Sequence, residues 1–320
     1  MEKAQLQKLI VIAGPTGSGK SEIAIRLARD IGGEIISVDS MQVYRGMDIG
    51  TAKVTPEQRA SVPHHLIDIA PPDRDFDAGQ FVRTAGPAIS RIISRNKVPI
   101  ICGGTGLYLK ALFCGIGTAP PADPDIRAEL ECLPLEILQS QLKSLSPATW
   151  NSIDVQNKRR VVRALEIARL TGRAPVDTWS PWESTAESWP EMTFVIQRDV
   201  DELRQALDRR VDTMIDLGLV EETRKLIDLG LCRNTTARQA IGYRQTIDHI
   251  LRNIPLDSTI EEIKLRTRQY AKRQRTWFRN QMPSIPVPLK ERDVDSAVEF
   301  IRDRLSDFSN HQESCRHPNI

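Results

Sequence analysis

Gly14-Pro15-Thr16-Gly17-Ser18-Gly19-Lys20-Ser21 constrains this chain more than any other stretch, because it fills every position of the phosphate-loop pattern G-x-x-x-x-G-K-S. Leu9 to Ala13 reads as a buried strand before it, and Glu22 to Ala28 as an amphipathic helix after it. Backbone N–H groups of such a turn converge on phosphate oxygens, and the following helix adds its partial positive charge. Lys20 is placed to neutralise a terminal phosphate, and the Ser21 hydroxyl is the candidate ligand for Mg²⁺. The pattern identifies a bound phosphate and leaves open which molecule carries it.

The rest of the first ~120 residues alternates strands with helices, which predicts a P-loop NTPase-like α/β fold: a parallel sheet flanked by helices. Strands are expected at Glu34–Val38 and Lys97–Cys102, with a further short one at His65–Ile69, and a helix over Ala78–Arg95. In such sheets ligands bind beyond the carboxyl ends of the strands. The phosphate loop, Asp39 and the turn Gly103-Gly104-Thr105-Gly106 all follow carboxyl ends and should share one crevice. After Ala119-Pro120-Pro121-Ala122-Asp123-Pro124 the texture becomes helical, with Trp179, Trp182 and Trp189. The expected organisation is a core domain of residues 1–122 and 191–308, with a helical C-terminal part. A small helical insertion domain covers 123–190, and a flexible polar tail 309–320. Met192–Ile196 is the expected return strand.

Composition excludes several classes. At 40% hydrophobic and 27% charged, the chain is an ordinary globular one. A net charge of +2 demands no polyanionic partner, so any such partner has to be argued from local clusters. No run reaches the ~20 apolar residues of a membrane span, and Met1–Lys8 lacks a signal-peptide core. The five cysteines form no C-x-x-C pair, so reduced thiols in a cytoplasmic protein are expected, without a zinc site.

Asp39, at the end of a buried strand beside a phosphate loop, has three readings: a water-mediated Mg²⁺ ligand, a general base, or a turn carboxylate. The strand before Gly103 does not end in the acidic residue typical of nucleotide hydrolases. Lys264, Arg268, Lys272, Arg275 and Arg279 recur at helical spacing with no acid between them, and a one-sign stripe favours a polyanion. Tyr270 and Trp277 lie on another face and are read as core contacts. Lys158, Arg159, Arg160 and Arg163 form a second basic cluster in the insertion, so an extended ligand gripped from two sides is expected. His64 and His65 have no metal-ligand spacing and read as structural. One of Arg209 and Arg210 could clamp a phosphate, against the commoner fate of surface charge.

An ordered series of motifs then closely resembles the bacterial-type tRNA dimethylallyltransferases (tRNA isopentenyltransferases). It runs through Gly14–Ser21, Asp39–Lys53, Pro63-His64-His65-Leu66-Ile67-Asp68, Gly103–Tyr108, Asn157–Glu166, Gln239-Ala240-Ile241-Gly242-Tyr243 and Lys272–Phe278. The resemblance implies transfer of a dimethylallyl group from dimethylallyl diphosphate to N6 of the adenosine immediately 3′ of the anticodon, tRNA position 37. It implies Mg²⁺ as cofactor and the anticodon stem-loop as partner, with the enzyme expected to act as a monomer. By the same resemblance Asp39 is the base, Lys20, Ser21 and Arg210 assist at the diphosphate, and Gly14, Pro15, Thr16, Gly17, Ser18 and Gly19 cradle it. Asp39, Ser40, Met41, Gln42, Thr105, Arg127, Gln156, Asn157, Lys158, Arg159, Arg160 and Arg275 are implied tRNA contacts. Whether the late helix meets the diphosphate or the tRNA backbone stays open. Two departures are visible: Ser21 stands where Thr is frequent, and the zinc-finger extension of eukaryotic members is missing. The rivals are a P-loop small-molecule kinase, which leaves the basic clusters unexplained, and a non-enzymatic tRNA-binding protein, which leaves the phosphate loop idle.

Overall fold

The apolar runs around the phosphate loop form the middle of a six-stranded sheet in the computed structural model, which describes residues 8–117, 119–178, 188–290 and 293–316, with side chains to Phe308. In chain order, β1 (Ile10–Ala13) leads through the loop into α1 (Lys20–Ile31) and β2 (Gly33–Val38). Then come α2 (Pro56–Ser61), β3 (His64–His65), α3 (Ala78–Ser94), β4 (Val98–Gly103) and α4 (Gly106–Cys114). Helices α5 (Pro124–Glu131), α6 (Leu135–Leu145), α7 (Pro147–Ser152), α8 (Lys158–Thr171) and α9 (Pro175–Thr178) precede β5 (Thr193–Arg198). After it come α10 (Val200–Asp216), α11 (Leu219–Asp228), α12 (Tyr243–Arg252), α13 (Leu256–Gln281), β6 (Ile285–Leu289) and α14 (Val294–Arg316). The chain divides into two compact units, Met1–Phe113 with Thr185–Ile320, and Cys114–Ser184.

The strand order is β3-β2-β4-β1-β5-β6, and every pairing is parallel. A parallel sheet is covered on both faces, which is why β1 and β2 are buried along their whole length. The chain leaves β1 for β2 on one side and later returns to β5 on the other. The loop after β1 therefore opens at the switch point of the sheet, where α/β folds bind ligands. Helix α1 packs Ile23, Ala24, Leu27 and Ala28 into this core. Its ends are set by glycines in the left-handed region, Gly19 at φ 87° and Gly32 at φ 65°.

Five sequence expectations need correcting. The strand expected at His65–Ile69 is only His64–His65, because Leu66 (φ 65°) and Asp68 (φ 57°) turn left-handed and end the ladder. Strand β6 was not anticipated. Its Pro286 and Pro288 suppress the strand signal, but they face outward on a sheet edge, where a missing N–H costs no ladder bond. Its Val287 and Leu289 face the core. Trp189, read as part of the insertion, is buried in the larger unit against Phe113, ring centroids 5.3 Å apart. Trp179 and Trp182 lie outside the described residues. The smaller unit is Cys114–Ser184, against the 123–190 expected from composition. The polar tail expected from Ser309 instead continues α14 to Arg316.

The smaller unit has its own core, Leu130, Leu138, Leu142, Val161, Val162, Ala164 and Leu165, gathered from α5, α6 and α8. Asn157 caps α8, accepting from the Arg160 N–H.

Candidate active site

The phosphate loop is built by its glycines. Gly17 adopts φ 77°, and a Cβ there would lie 2.8 Å from Leu207 Cδ2, so the loop presses against α10 without room for a side chain. Lys20 folds back over the loop, its Nζ donating to the Pro15 carbonyl at 3.2 Å. Burial lowers the Lys20 pKa; Cys102 and Asp39 oppose that shift, and Arg210 adds to it. Ser21 is exposed on the first turn of α1 and lines the cleft. The buried Ser18 Oγ has no hydrogen-bond partner among the described residues.

Asp39 follows β2. Its Oδ1 accepts from the backbone N–H of Met41 (2.8 Å) and Gln42 (3.3 Å), so one oxygen holds a tight turn. Oδ2 accepts no hydrogen bond among the described residues. The turn-carboxylate reading thus accounts for Oδ1, and Asp39 lines the cleft. Ser40 N donates to Thr105 Oγ1 at 3.1 Å, tying this turn to the second glycine turn. Gln42 is held at both ends, by Ser37 Oγ (3.1 Å) and through its own Nε2 to the Thr51 carbonyl (3.3 Å). A Cβ on Gly103 would sit 2.1 Å from the Val38 carbonyl oxygen, so β4 cannot end in an aspartate here.

Helix α13 closes the other side. The buried Gln274 accepts from Thr16 N at 2.9 Å and donates to the Gly104 carbonyl at 2.8 Å, strapping the phosphate loop to the second glycine turn. Tyr270 and Arg273 of the same helix line the cleft. Burial, and then Asp39, raise the Tyr270 pKa, so its hydroxyl stays a donor. Arg210 of α10 reaches Thr16 Oγ1 at 3.4 Å; burial lowers its pKa and Asp39 opposes. Arg198, at the carboxyl end of β5, donates to the Gly17 carbonyl at 3.2 Å and pairs with Glu202 at 3.3 Å. The cleft has a volume of about 960 Å³; Lys20, Arg198 and Arg210 reach the phosphate loop, and Arg273 also lines the cleft. That is room for a small diphosphate and a planar base, with cations gathered where anionic oxygens would lie.

No group of three His, Cys, Asp or Glu suited to a metal exists among the described residues. The exposed Ser21 hydroxyl in the cleft is a donor of the kind that a Mg²⁺ ion carried on a diphosphate would take from a protein, its other oxygens coming from ligand and water.

The structure therefore brings together Gly14–Ser21, Asp39–Gln42, Thr105 and Arg210. Sequence reasoning gave no site role to Arg198, Arg273 or Gln274, although Arg273 and Gln274 lie within the Lys272–Phe278 motif; for Arg198 the available signal was an arginine ending a return strand. Tyr270, read as core, faces the cleft, and Trp277 packs over Gly106. The single-sign reading of the late helix is also corrected: Lys264 pairs with Asp212 (2.7 Å) and Arg268 with Asp208 (2.6 Å), both from α10. Lys272 and Arg275 remain exposed. In the smaller unit, Gln156, Asn157, Arg159 and Arg160 are exposed, and Lys158 donates to the Glu131 carbonyl. Arg127 shares the buried Glu166 carboxylate with Arg163, each at 2.7 Å. His65 pairs with Glu34 (2.7 Å), which also holds Arg95, a structural role as expected.

A sequence profile described as IPP transferase matches residues 42–281. The chain is 43% identical to a tRNA dimethylallyltransferase of Syntrophobacter fumaroxidans, covering 85% of this chain and 80% of that one. It is also similar to the crystal structure of a full-length tRNA isopentenylpyrophosphate transferase from Bacillus halodurans. That match has a TM-score of 0.68 and 38% identity, over 96% of this chain and 99% of the other. A eukaryotic dimethylallyltransferase, captured acting on tRNA, aligns with a TM-score of 0.76 at 28% identity, over 93% of this chain and 79% of that one.

Proposed function

The chain belongs to the IPP transferase family, and from that premise we propose that it transfers the dimethylallyl group of dimethylallyl diphosphate to N6 of the adenosine 3′-adjacent to the tRNA anticodon, at position 37. The observation that carries the reading is a single cleft joining a phosphate loop to a half-free carboxylate, Asp39. In this reading the diphosphate lies on the backbone amides of Gly14–Ser21, with Lys20, Arg210 and Arg198 around it. These donors stabilise negative charge that grows as the allylic C–O bond breaks. Mg²⁺ on the diphosphate, touched by Ser21, would supply further charge neutralisation.

The N6 lone pair forms the new C–N bond as the diphosphate leaves with the C–O electron pair, and Asp39 Oδ2 takes the N6 proton. An adenine amino group is a weak nucleophile, so positioning and proton removal carry much of the rate. The target base has to leave the anticodon-loop stack to reach the cleft. Asp39–Gln42 and Thr105 meet the base, while exposed Gln156, Asn157, Arg159, Arg160 and Arg275, with Lys158 beside them, contact the loop and its backbone. A monomer working in the cytoplasm belongs to the same reading; among the described residues no helix is long and apolar enough to cross a membrane.

The test is incubation with labelled dimethylallyl diphosphate, Mg²⁺ and unmodified tRNA, followed by mass analysis of the nucleosides. One dimethylallyl group on the adenosine 3′ of the anticodon, and none on a tRNA lacking that adenosine, is expected. Phosphate passed from ATP to a small molecule, with no allyl transfer, would replace this reading with a kinase.

A further inference from the structure

We propose that Glu222 and Tyr243, neither of which touches the reacting groups, are positioning residues that set the acceptor turn Asp39–Gln42. The inference rests on the transfer reaction proposed above and identifies what holds its acceptor half in place.

Glu222 lies on α11, where a glutamate would ordinarily point to water. Instead its carboxylate accepts from three consecutive backbone N–H groups, Asp48 (3.2 Å), Ile49 (2.9 and 3.1 Å) and Gly50 (3.4 Å). The Tyr243 hydroxyl, at the start of α12, donates to the same carboxylate at 2.5 Å and accepts from Gly50 N at 3.1 Å. Burial and then Glu222 raise the Tyr243 pKa, which keeps the hydroxyl protonated as that donor. The fit admits only glycine at position 50, since a Cβ there would lie 2.5 Å from the Tyr243 ring.

The clamped loop continues directly into the cleft. Thr51 follows Gly50, and its carbonyl accepts from Gln42 Nε2 at 3.3 Å. The Gln42 N–H in turn reaches Asp39 Oδ1 at 3.3 Å. Gly50, Thr51, Gln42 and Asp39 all line the cleft. An unbroken chain of hydrogen bonds and covalent links therefore runs from α11 to the proposed base. The far end of the loop is fixed independently: the buried Lys53 ammonium binds the Tyr44 carbonyl, Asp48 and Asp68. Releasing Glu222 or Tyr243 should loosen the backbone at Ile49–Thr51, while Lys53 still holds Asp48 and the fold and the phosphate loop stay in place. Among the described residues no hydrogen bond joins a link of this chain to Gly14–Ser21, so donor binding and acceptor positioning should separate.

Tyr243→Phe, which keeps the ring against Gly50, and Glu222→Ala are compared with wild type in three measurements. These are equilibrium binding of dimethylallyl diphosphate, equilibrium binding of an unmodified anticodon stem-loop, and kcat and KM for transfer. Loss of charge-assisted hydrogen bonds predicts about tenfold or more lost from kcat/KM for tRNA. Donor affinity should stay within about twofold, which also reports a folded site. Glu222→Gln, retaining one acceptor oxygen, should fall between Ala and wild type. Equal losses in donor and acceptor binding, or tRNA kinetics unchanged in a variant that melts earlier, would make the clamp purely structural and overturn the inference. Wild-type protein that transfers nothing would instead refute the proposed function.

Discussion

Replacing Gln274 by leucine tests whether the strap across the site is an energetic element. The amide orientation is forced by its partners, because Thr16 N can only donate and the Gly104 carbonyl can only accept. Leucine fills a similar volume and strands both groups next to a side chain that is 7% exposed. Each unsatisfied backbone group costs about 1–3 kcal/mol; the cleft beside Gln274 admits some water, so the sum is about 2–4 kcal/mol. Gln274→Ala, which opens a path for water to both groups, should cost about 1 kcal/mol. Gln274→Glu keeps an acceptor for Thr16 N but sets a second oxygen against the Gly104 carbonyl and adds a negative charge beside the phosphate loop. It should therefore lose more diphosphate affinity than the leucine variant at comparable stability. Urea unfolding gives the stability order, and calorimetry of dimethylallyl diphosphate binding gives the affinity order. A leucine variant with the wild-type urea midpoint and unaltered diphosphate affinity would refute the reasoning.

Arg127→Ala should destabilise the smaller unit by about 1–2 kcal/mol, discounted for the partial exposure of the arginines, because it removes one of two guanidiniums from the fully buried Glu166. Arg159→Ala and Arg160→Ala should leave stability unchanged and weaken tRNA binding, read by melting curves alongside stem-loop titrations. The Cys102 thiol is pushed up to about 11 from 9.0, chiefly by burial. As pH rises the unfolded chain loses this proton first, so native stability should fall between about pH 9 and about pH 11. Cys102→Ala should flatten that part of the profile, measured as urea midpoints across the range; an unchanged slope would remove Cys102 as its source.

The parts legible in the sequence are those fixed by local chemistry. Gly14–Ser21 needs its residue types at their spacing, and β1, β2 and β4 are apolar runs that a two-sided parallel sheet requires. Helix α3 is legible as an apolar helical periodicity, and in the structure Asp77 and Gln80 close a capping box at its start. The illegible parts depend on residues far apart in the chain. Lys264 and Arg268 look like an unpaired basic stripe until α10 supplies Asp212 and Asp208. Gln274 and Glu222 are ordinary helical polar residues whose partners lie 258 residues away at Thr16 and 173 residues away at Ile49. Strand β6 hides behind two prolines that only an edge position tolerates. Asp39 is a middle case: its sequence context allows a water-mediated Mg²⁺ ligand, a base or a turn carboxylate, and the structure shows Oδ1 holding the turn.

The most direct test of the account is single-turnover transfer by Asp39→Asn, with diphosphate and tRNA binding measured on the same preparation. The asparagine Oδ1 can still accept from Met41 and Gln42, so the turn, the phosphate loop and both affinities should persist. The proton acceptor at Oδ2 is gone, and the rate should fall by about 10²–10⁴. Near-normal transfer at unchanged affinities would contradict the assignment of Asp39 as the base and with it the central claim that this cleft joins leaving group and acceptor.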